Sequence, residues 1–239
     1  MQTGTSTFAL TGQSEQLDPR IHAFRPDLAD VALADRLFAA HFASPIIRFC
    51  SVPFTAIRSR PDGEQTSELL HYEGFAILDV TGEWAWGWSE HDHYVGYVAS
   101  NALTSGKNER LSANTHADPI AFARQFLGMT YVWGGRGGAG FDCSGLVQRS
   151  FAESGFDVPR DSDLQRERFG QFVDPANASA GDLIFFPGHV GILTANDNLV
   201  HATRHHGSVV EEPLSDVTAR MVLKHGQGIV AVKRIGGSS

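Results

Sequence analysis

Apolar positions along the chain fall into two textures. Over residues 44–103 they form short runs at 46–54, Ala56-Ile57-Arg58, 75–80, 84–88 and 95–98, with Pro61-Asp62-Gly63 and Thr81-Gly82-Glu83 as punctuation. Runs repeating about every ten residues, with turn signals between them, predict a small all-β barrel. In Trp84-Ala85-Trp86-Gly87-Trp88 the period-two alternation of a strand places all three indoles on one face. We read that strip as barrel core or a domain interface in preference to an exposed binding platform.

Outside this stretch the pattern turns helical. Residues 27–42 carry Leu28, Val31, Leu37, Phe38 and Phe42 at roughly helical spacing, which predicts a short helix behind a Thr/Ser/Gly/Gln-rich arm. The polar residues 104–115 read as a linker. Asp118-Pro119 then opens a helix with Ile120, Phe122, Ala123, Phe126 and Leu127 on one face, and Gly128 ends it. A glycine-rich loop over 134–140 leads into residues 141–151, where Asp142 suits the N-cap, Phe141 and Leu146 form a hydrophobic staple, and Cys143 becomes the first helical residue. The runs 188–193 and 198–203, separated by Ala195-Asn196-Asp197, predict a hairpin. The expected organisation is an arm with a short helix (1–43), the barrel (44–103), a linker (104–116) and a second domain (117–239).

Composition narrows the function. The 239 residues are 42% hydrophobic and carry 19 basic against 27 acidic side chains, a net charge of −8. With no Lys/Arg run, nucleic-acid binding is disfavoured. The longest apolar stretches fall far short of the ~18 residues that cross a bilayer, so membrane insertion is not expected. Residues 1–20 lack the basic and apolar regions of a secretory signal. With Cys50 and Cys143 in dissimilar contexts and unpaired, a reducing, cytoplasmic setting is the expectation, with export to the cell wall as the alternative.

Cys143 is the residue with chemistry to offer. At a helix N-terminus the dipole and free N–H groups favour an anion, so its thiol pKa is expected to fall. If the hairpin pairs Gly191 with His201, His189 and His201 become diagonal neighbours on one sheet face. Nucleophile, base and orienting residue then come from Cys143, His189 and His201, a triad whose third member need not be an acid. The clusters His91-Asp92-His93, His201 with His205-His206, and Cys143 with two histidines have no recognised zinc spacing, so no metal and no cofactor are expected. Cys50, among apolar and β-branched neighbours, reads as a buried core thiol.

The blocks Tyr131-Val132-Trp133-Gly134-Gly135, 141–147 (Phe-Asp-Cys-Ser-Gly-Leu-Val), 180–186 (Ala-Gly-Asp-Leu-Ile-Phe-Phe), Gly188-His189-Val190-Gly191-Ile192 and Leu199-Val200-His201-Ala202 occur in that order. Together they resemble the NlpC-type cell-wall cysteine peptidases over roughly residues 115–236. The resemblance implies an α+β, papain-like domain with a helix-borne cysteine against a small antiparallel sheet. The front half resembles the bacterial SH3-like domains fused to such enzymes. The implied roles are Cys143 as nucleophile, His189 as general base and acid, His201 as orienting residue and Tyr131 as an oxyanion ligand. Asp142 and Ser144 are implied to contact the substrate N-terminus, with a barrel acid such as Glu64, Glu68 or Glu83 as a further partner. The implied substrate is a peptidoglycan-derived peptide, L-Ala-γ-D-Glu-diamino acid, cut at the γ-D-glutamyl bond during murein recycling. An amidase or acyltransferase on the same Cys/His scaffold stays open. So does a non-catalytic peptidoglycan-binding module using the Trp strip.

Overall fold

The computed structural model describes residues 16–106 and 118–236. Most of the expected linker and the first part of the arm lie outside them. The helix expected over 27–42 does not form. In its place are strand β1 (Leu28–Asp30), a 3₁₀ turn at Val31–Leu33 and strand β2 (His41–Ala43), which pairs in parallel with β1. The Asp30 carboxylate accepts from the Ala32 N–H at 2.9 Å and closes the turn, an Asx cap that competes with helix propagation. Three residues of the supposed apolar stripe are exposed, Phe38 by 97%, Val31 by 47% and Phe42 by 38%.

The barrel follows as β3 (Ile46–Cys50), β4 (Phe54–Arg58), β5 (Gln65–Leu70), β6 (Gly74–Thr81), β7 (Trp84–Ser89), β8 (Val95–Ala99) and β9 (Leu103–Thr104). They form a seven-stranded sheet in the order β5-β4-β8-β7-β6-β3-β9. Cys50, Ile57, Leu69, Phe75, Tyr94 and Val98 make its core. Trp86 and Trp88 of the strip on β7 lie at an interface with the arm. The Arg25 guanidinium lies 4.3 Å from the Trp86 ring, and the Trp88 indole N–H donates to Asp30 at 2.8 Å while its ring stacks on His93. Arm and barrel thus bury one another's awkward surface, a cation on an aromatic face and an indole N–H on a carboxylate.

The second domain contains α1 (Pro119–Arg124), α2 (Cys143–Ala152), α3 (Ser162–Arg168), β10 (Gln171–Val173), β11 (Leu183–Phe186), β12 (His189–Leu193), β13 (Asn198–Thr203), β14 (Ser208–Pro213), α4 (Leu214–His225) and β15 (Ala231–Arg234). Asp118 caps α1 through the Ile120 N–H, and Gly128 takes a positive φ just beyond it. The six strands pair antiparallel in the order β10-β15-β11-β12-β13-β14. One face buries Val190, Ile192, Val200 and Ala202 against Leu146, Val147 and Phe151 of α2. The other packs Ile184, Phe186, Leu193 and Leu199 against Val217 of α4. Each such aliphatic side chain contributes about 1.5–3 kcal/mol by leaving water, so the helix that begins at Cys143 is anchored along its length.

Barrel and second domain meet through buried charge. Arg136, in the glycine-rich loop, donates to Glu73 at 2.7 and 3.2 Å, to the Glu68 carbonyl at 2.8 Å and to Gln148 of α2 at 2.5 Å. Gln148 in turn donates to Asp92 at 2.8 Å. The Glu68 carboxylate accepts backbone N–H groups of Arg136, Gly138 and Ala139 at 2.7, 3.0 and 3.3 Å. Charges this deeply buried are tolerated only when paired and fully hydrogen-bonded, so the junction admits one arrangement of loop and barrel. On the surface, Arg20 of the arm bridges to Asp161 and Asp163 at 2.9 Å each.

Candidate active site

Cys143 opens α2, and its position is set by Asp142 before it. One Asp142 oxygen accepts from the Gly145 N–H at 2.7 Å, the N-cap bond, and the other accepts from the Gly134 N–H at 2.8 Å. Gly134 has φ +73°, and a Cβ there would meet Gln65 and Thr66 of the barrel at 2.9–3.1 Å, so only glycine lets the loop approach so closely. Arg160 then closes on Asp142 with two nitrogens, at 3.0 and 2.7 Å, while also donating to Ser144 Oγ at 2.9 Å and to barrel Ser67 at 3.1 Å. Arg160 escaped the sequence reading. Its only local signal is a basic residue between Pro159 and Asp161, and its partners lie 16 to 18 positions or more away.

The expected fall in the Cys143 pKa is reversed. Burial pushes the thiol up to about 12 and the Asp142 charge adds to this, against hydrogen bonds from the Val190 and Ser144 backbone. The helix N-terminus does not win because the thiol is buried and the neighbouring cap is itself an acid. His189 is pushed the other way, down to about 3, by burial and then by His201. The resting pair is therefore a neutral thiol and a neutral imidazole, where the helix N-terminus alone predicts a thiol of lowered pKa.

The histidines come together through the hairpin. The pairs Ile192↔Val200 and Leu193↔Leu199 set a register that, extended by one step, puts Gly191 opposite His201. A Cβ on Gly191 would lie 2.7 Å from Leu199 Cγ and 3.0 Å from His201 Cβ, so the glycine leaves room for both side chains. His189 Nε2 lies 2.6 Å from His201 Nδ1. This leaves His189 Nδ1 as that ring's remaining site. Cys143 is tied to the same strand through the backbone of Val190.

Beyond His201, its Nε2 meets Glu212 Oε1 at 2.9 Å. The sequence reading missed this carboxylate, although the signal was present: His201 pairs with Val210 across β13 and β14, so Glu212, two residues on, shares its face. Tyr131 is half-buried, with burial and then Cys143 raising its hydroxyl to about 12, so it is a neutral donor. The Arg204 guanidinium lies 4.9 Å from the Trp133 ring and 5.6 Å from that of Tyr131. Of the barrel acids, Glu64 and Glu83 are exposed, and Glu68 is occupied by the glycine-rich loop.

A thiol, an imidazole pair and a carboxylate on a helix-and-sheet scaffold are the groups that thiol-dependent hydrolysis draws on. Residues 128–227 match the NlpC/P60 family and residues 57–103 match the bacterial dipeptidyl-peptidase SH3 domain, so the chain carries both domains. It is 38% identical over 106 residues to a γ-D-glutamyl-L-lysine dipeptidyl-peptidase of Bacillus cereus, covering 41% of this chain and 32% of that protein. It is 40% identical over 88 residues to a probable endopeptidase p60 of Listeria welshimeri, covering 35% and 17%. The matched segment thus spans about a third or less of these curated relatives. Among solved structures, an NlpC/P60 family protein from Bacillus cereus aligns over 80% of this chain and 63% of that one, with a TM-score of 0.45 and 24% identity.

Proposed function

We propose that this protein is a cysteine peptidase that hydrolyses the γ-D-glutamyl-diamino acid bond of short peptidoglycan stem peptides bearing a free N-terminal L-Ala. The observation that carries the reading is a helix-initial Cys143 tied to a strand whose His189 is hydrogen-bonded to His201. In this reading Cys143 Sγ attacks the γ-glutamyl carbonyl carbon as its proton passes to His189 Nδ1. His189 then gives that proton to the departing amine, leaving a thioester. Water enters, loses a proton to His189 and releases the acid with the thiol restored. The Cys143 N–H, in the first turn and without an intrahelical acceptor, and the Tyr131 hydroxyl stabilise the oxyanion.

The barrel supports a preference for short peptides. Glu68 grips the loop leading to Cys143, and Gly134 lies against Gln65 and Thr66, so one flank of the site is walled by a second domain. Murein fragments fit such a site better than intact sacculus. Mass spectrometry of protein incubated with L-Ala-γ-D-Glu-diaminopimelate, its N-acetylated form and sacculus tests this. Release of L-Ala-γ-D-Glu from the free peptide only, abolished in Cys143→Ala, is the expected result. Cleavage of sacculus, equal cleavage of the acetylated peptide or no cleavage of any would overturn it.

A further inference from the structure

The hydrogen-bonded chain running away from His189 fixes where its protons sit. Glu212 accepts from Arg220 of α4 at both oxygens, at 2.8 Å for Oε2, and His206 Nε2 lies 3.3 Å from Oε2. Burial raises the Glu212 carboxyl, but hydrogen bonds from His201, Arg220 and His206 outweigh it and hold the group well below the usual carboxylate range. It is therefore ionised, and an ionised carboxylate only accepts. His201 Nε2, 2.9 Å away, must carry a hydrogen. Burial lowers the His201 pKa against the pull of Glu212, so the ring is neutral and its Nδ1 is bare. A bare nitrogen 2.6 Å from His189 Nε2 requires the hydrogen to be on His189 Nε2. A neutral His189 protonated there has an unprotonated Nδ1, the form a base needs.

We propose that Glu212 is a positioning residue that sets this proton order, a fourth member of the site acting through two imidazoles. The proposal rests on His189 being the base in the reading above. Replacing the carboxylate by an amide provides the test, because a Gln at this position can donate to His201 Nε2 and reverse every donor and acceptor in the chain, placing a hydrogen on His189 Nδ1.

Nitrogen-15 NMR of histidine-labelled protein at neutral pH reads the tautomers directly and needs no substrate. Both rings are expected to be Nε2–H in the wild type, with Nδ1–H signals appearing in Glu212→Gln and the wild-type pattern kept in Glu212→Asp. On the diaminopimelate peptide, Glu212→Gln is expected to lower kcat by about 10²–10⁴-fold, as when a triad carboxylate becomes an amide, with KM changed by less than about threefold. A wild-type His189 protonated on Nδ1 overturns the proposal, and so do unchanged tautomers or unchanged kcat in a folded Glu212→Gln. The wild-type spectrum decides even if the variant does not fold. Correct tautomers in a protein that cuts no peptide would overturn the substrate reading and leave the proton order standing.

Discussion

Arg160 and Asp142 form a buried two-pronged ion pair at the residue preceding Cys143, with side chains 1% and 5% exposed. Arg160 touches helix cap, Ser144 and barrel Ser67 at once, so one guanidinium registers three elements around the thiol. Arg160→Met leaves the carboxylate buried without its cation. The expected loss is about 3–5 kcal/mol, read as a lower urea midpoint with an unchanged slope. A loss below about 1 kcal/mol would mean that the backbone N–H groups of Gly134 and Gly145 suffice for Asp142.

Stability should fall with acid earlier than carboxylates alone would cause. The folded protein holds His189 down at about 3, against 6.5 for an ordinary histidine, so the unfolded chain takes up a proton first. This contribution is complete above about pH 6.5 and is lost as pH falls towards 3, at up to about 1.4 kcal/mol per pH unit for each proton excluded. Burial lowers His201 as well, and Glu73, held at about 2 against burial by Arg136 and His91, adds a further loss below 4.5. Denaturation curves at pH 7, 6 and 5 should show a shallower decline in His189→Gln than in wild type. Equal slopes would show that His189 is protonated in the folded protein.

The raised Cys143 thiol predicts slow alkylation. With the group pushed up to about 12, the iodoacetamide rate of the native protein should rise about tenfold per pH unit between 7 and 9, following the thiolate fraction. Peptide mapping separates Cys143 from Cys50, whose thiol is also raised by burial. A rate that is fast and flat over that range would indicate a resting thiolate.

Arg204 stands over Trp133 and Tyr131 and makes no ion pair with an acid among the described residues. The proposed substrate carries free carboxylates, and a guanidinium at the rim suits them. Arg204→Gln should raise KM for the diaminopimelate peptide by about 2–5-fold, and the lysine peptide, lacking one carboxylate, should be less affected. Equal effects on both peptides would sink the idea that Arg204 reads the second carboxylate.

Much of this protein is legible along the chain because its elements are local. Asp118 and Asp142 cap helices within three residues of themselves, and turn residues bound the barrel strands. Hairpin alternation brings His189 and His201 to one face once the register pairs Gly191 with His201, and the observed pairs Ile192↔Val200 and Leu193↔Leu199 extend to that register. Where local signals conflict, the sequence misleads: residues 27–42 have helical periodicity, yet the Asp30 cap and the pairing of β1 with β2 prevail.

What the chain alone determined is therefore the set of groups at the site and the elements that carry them, because capping and strand alternation act over a few residues. Tertiary structure decided their protonation and their partners. The thiol lies high and the imidazole low because burial costs a charge more than a helix end repays, and burial depends on residues far apart in sequence. Arg136 meets Glu73 only once the barrel packs on the second domain, and Arg160 meets Asp142 across 18 positions of one domain, since a buried charge requires a counter-charge that the fold supplies.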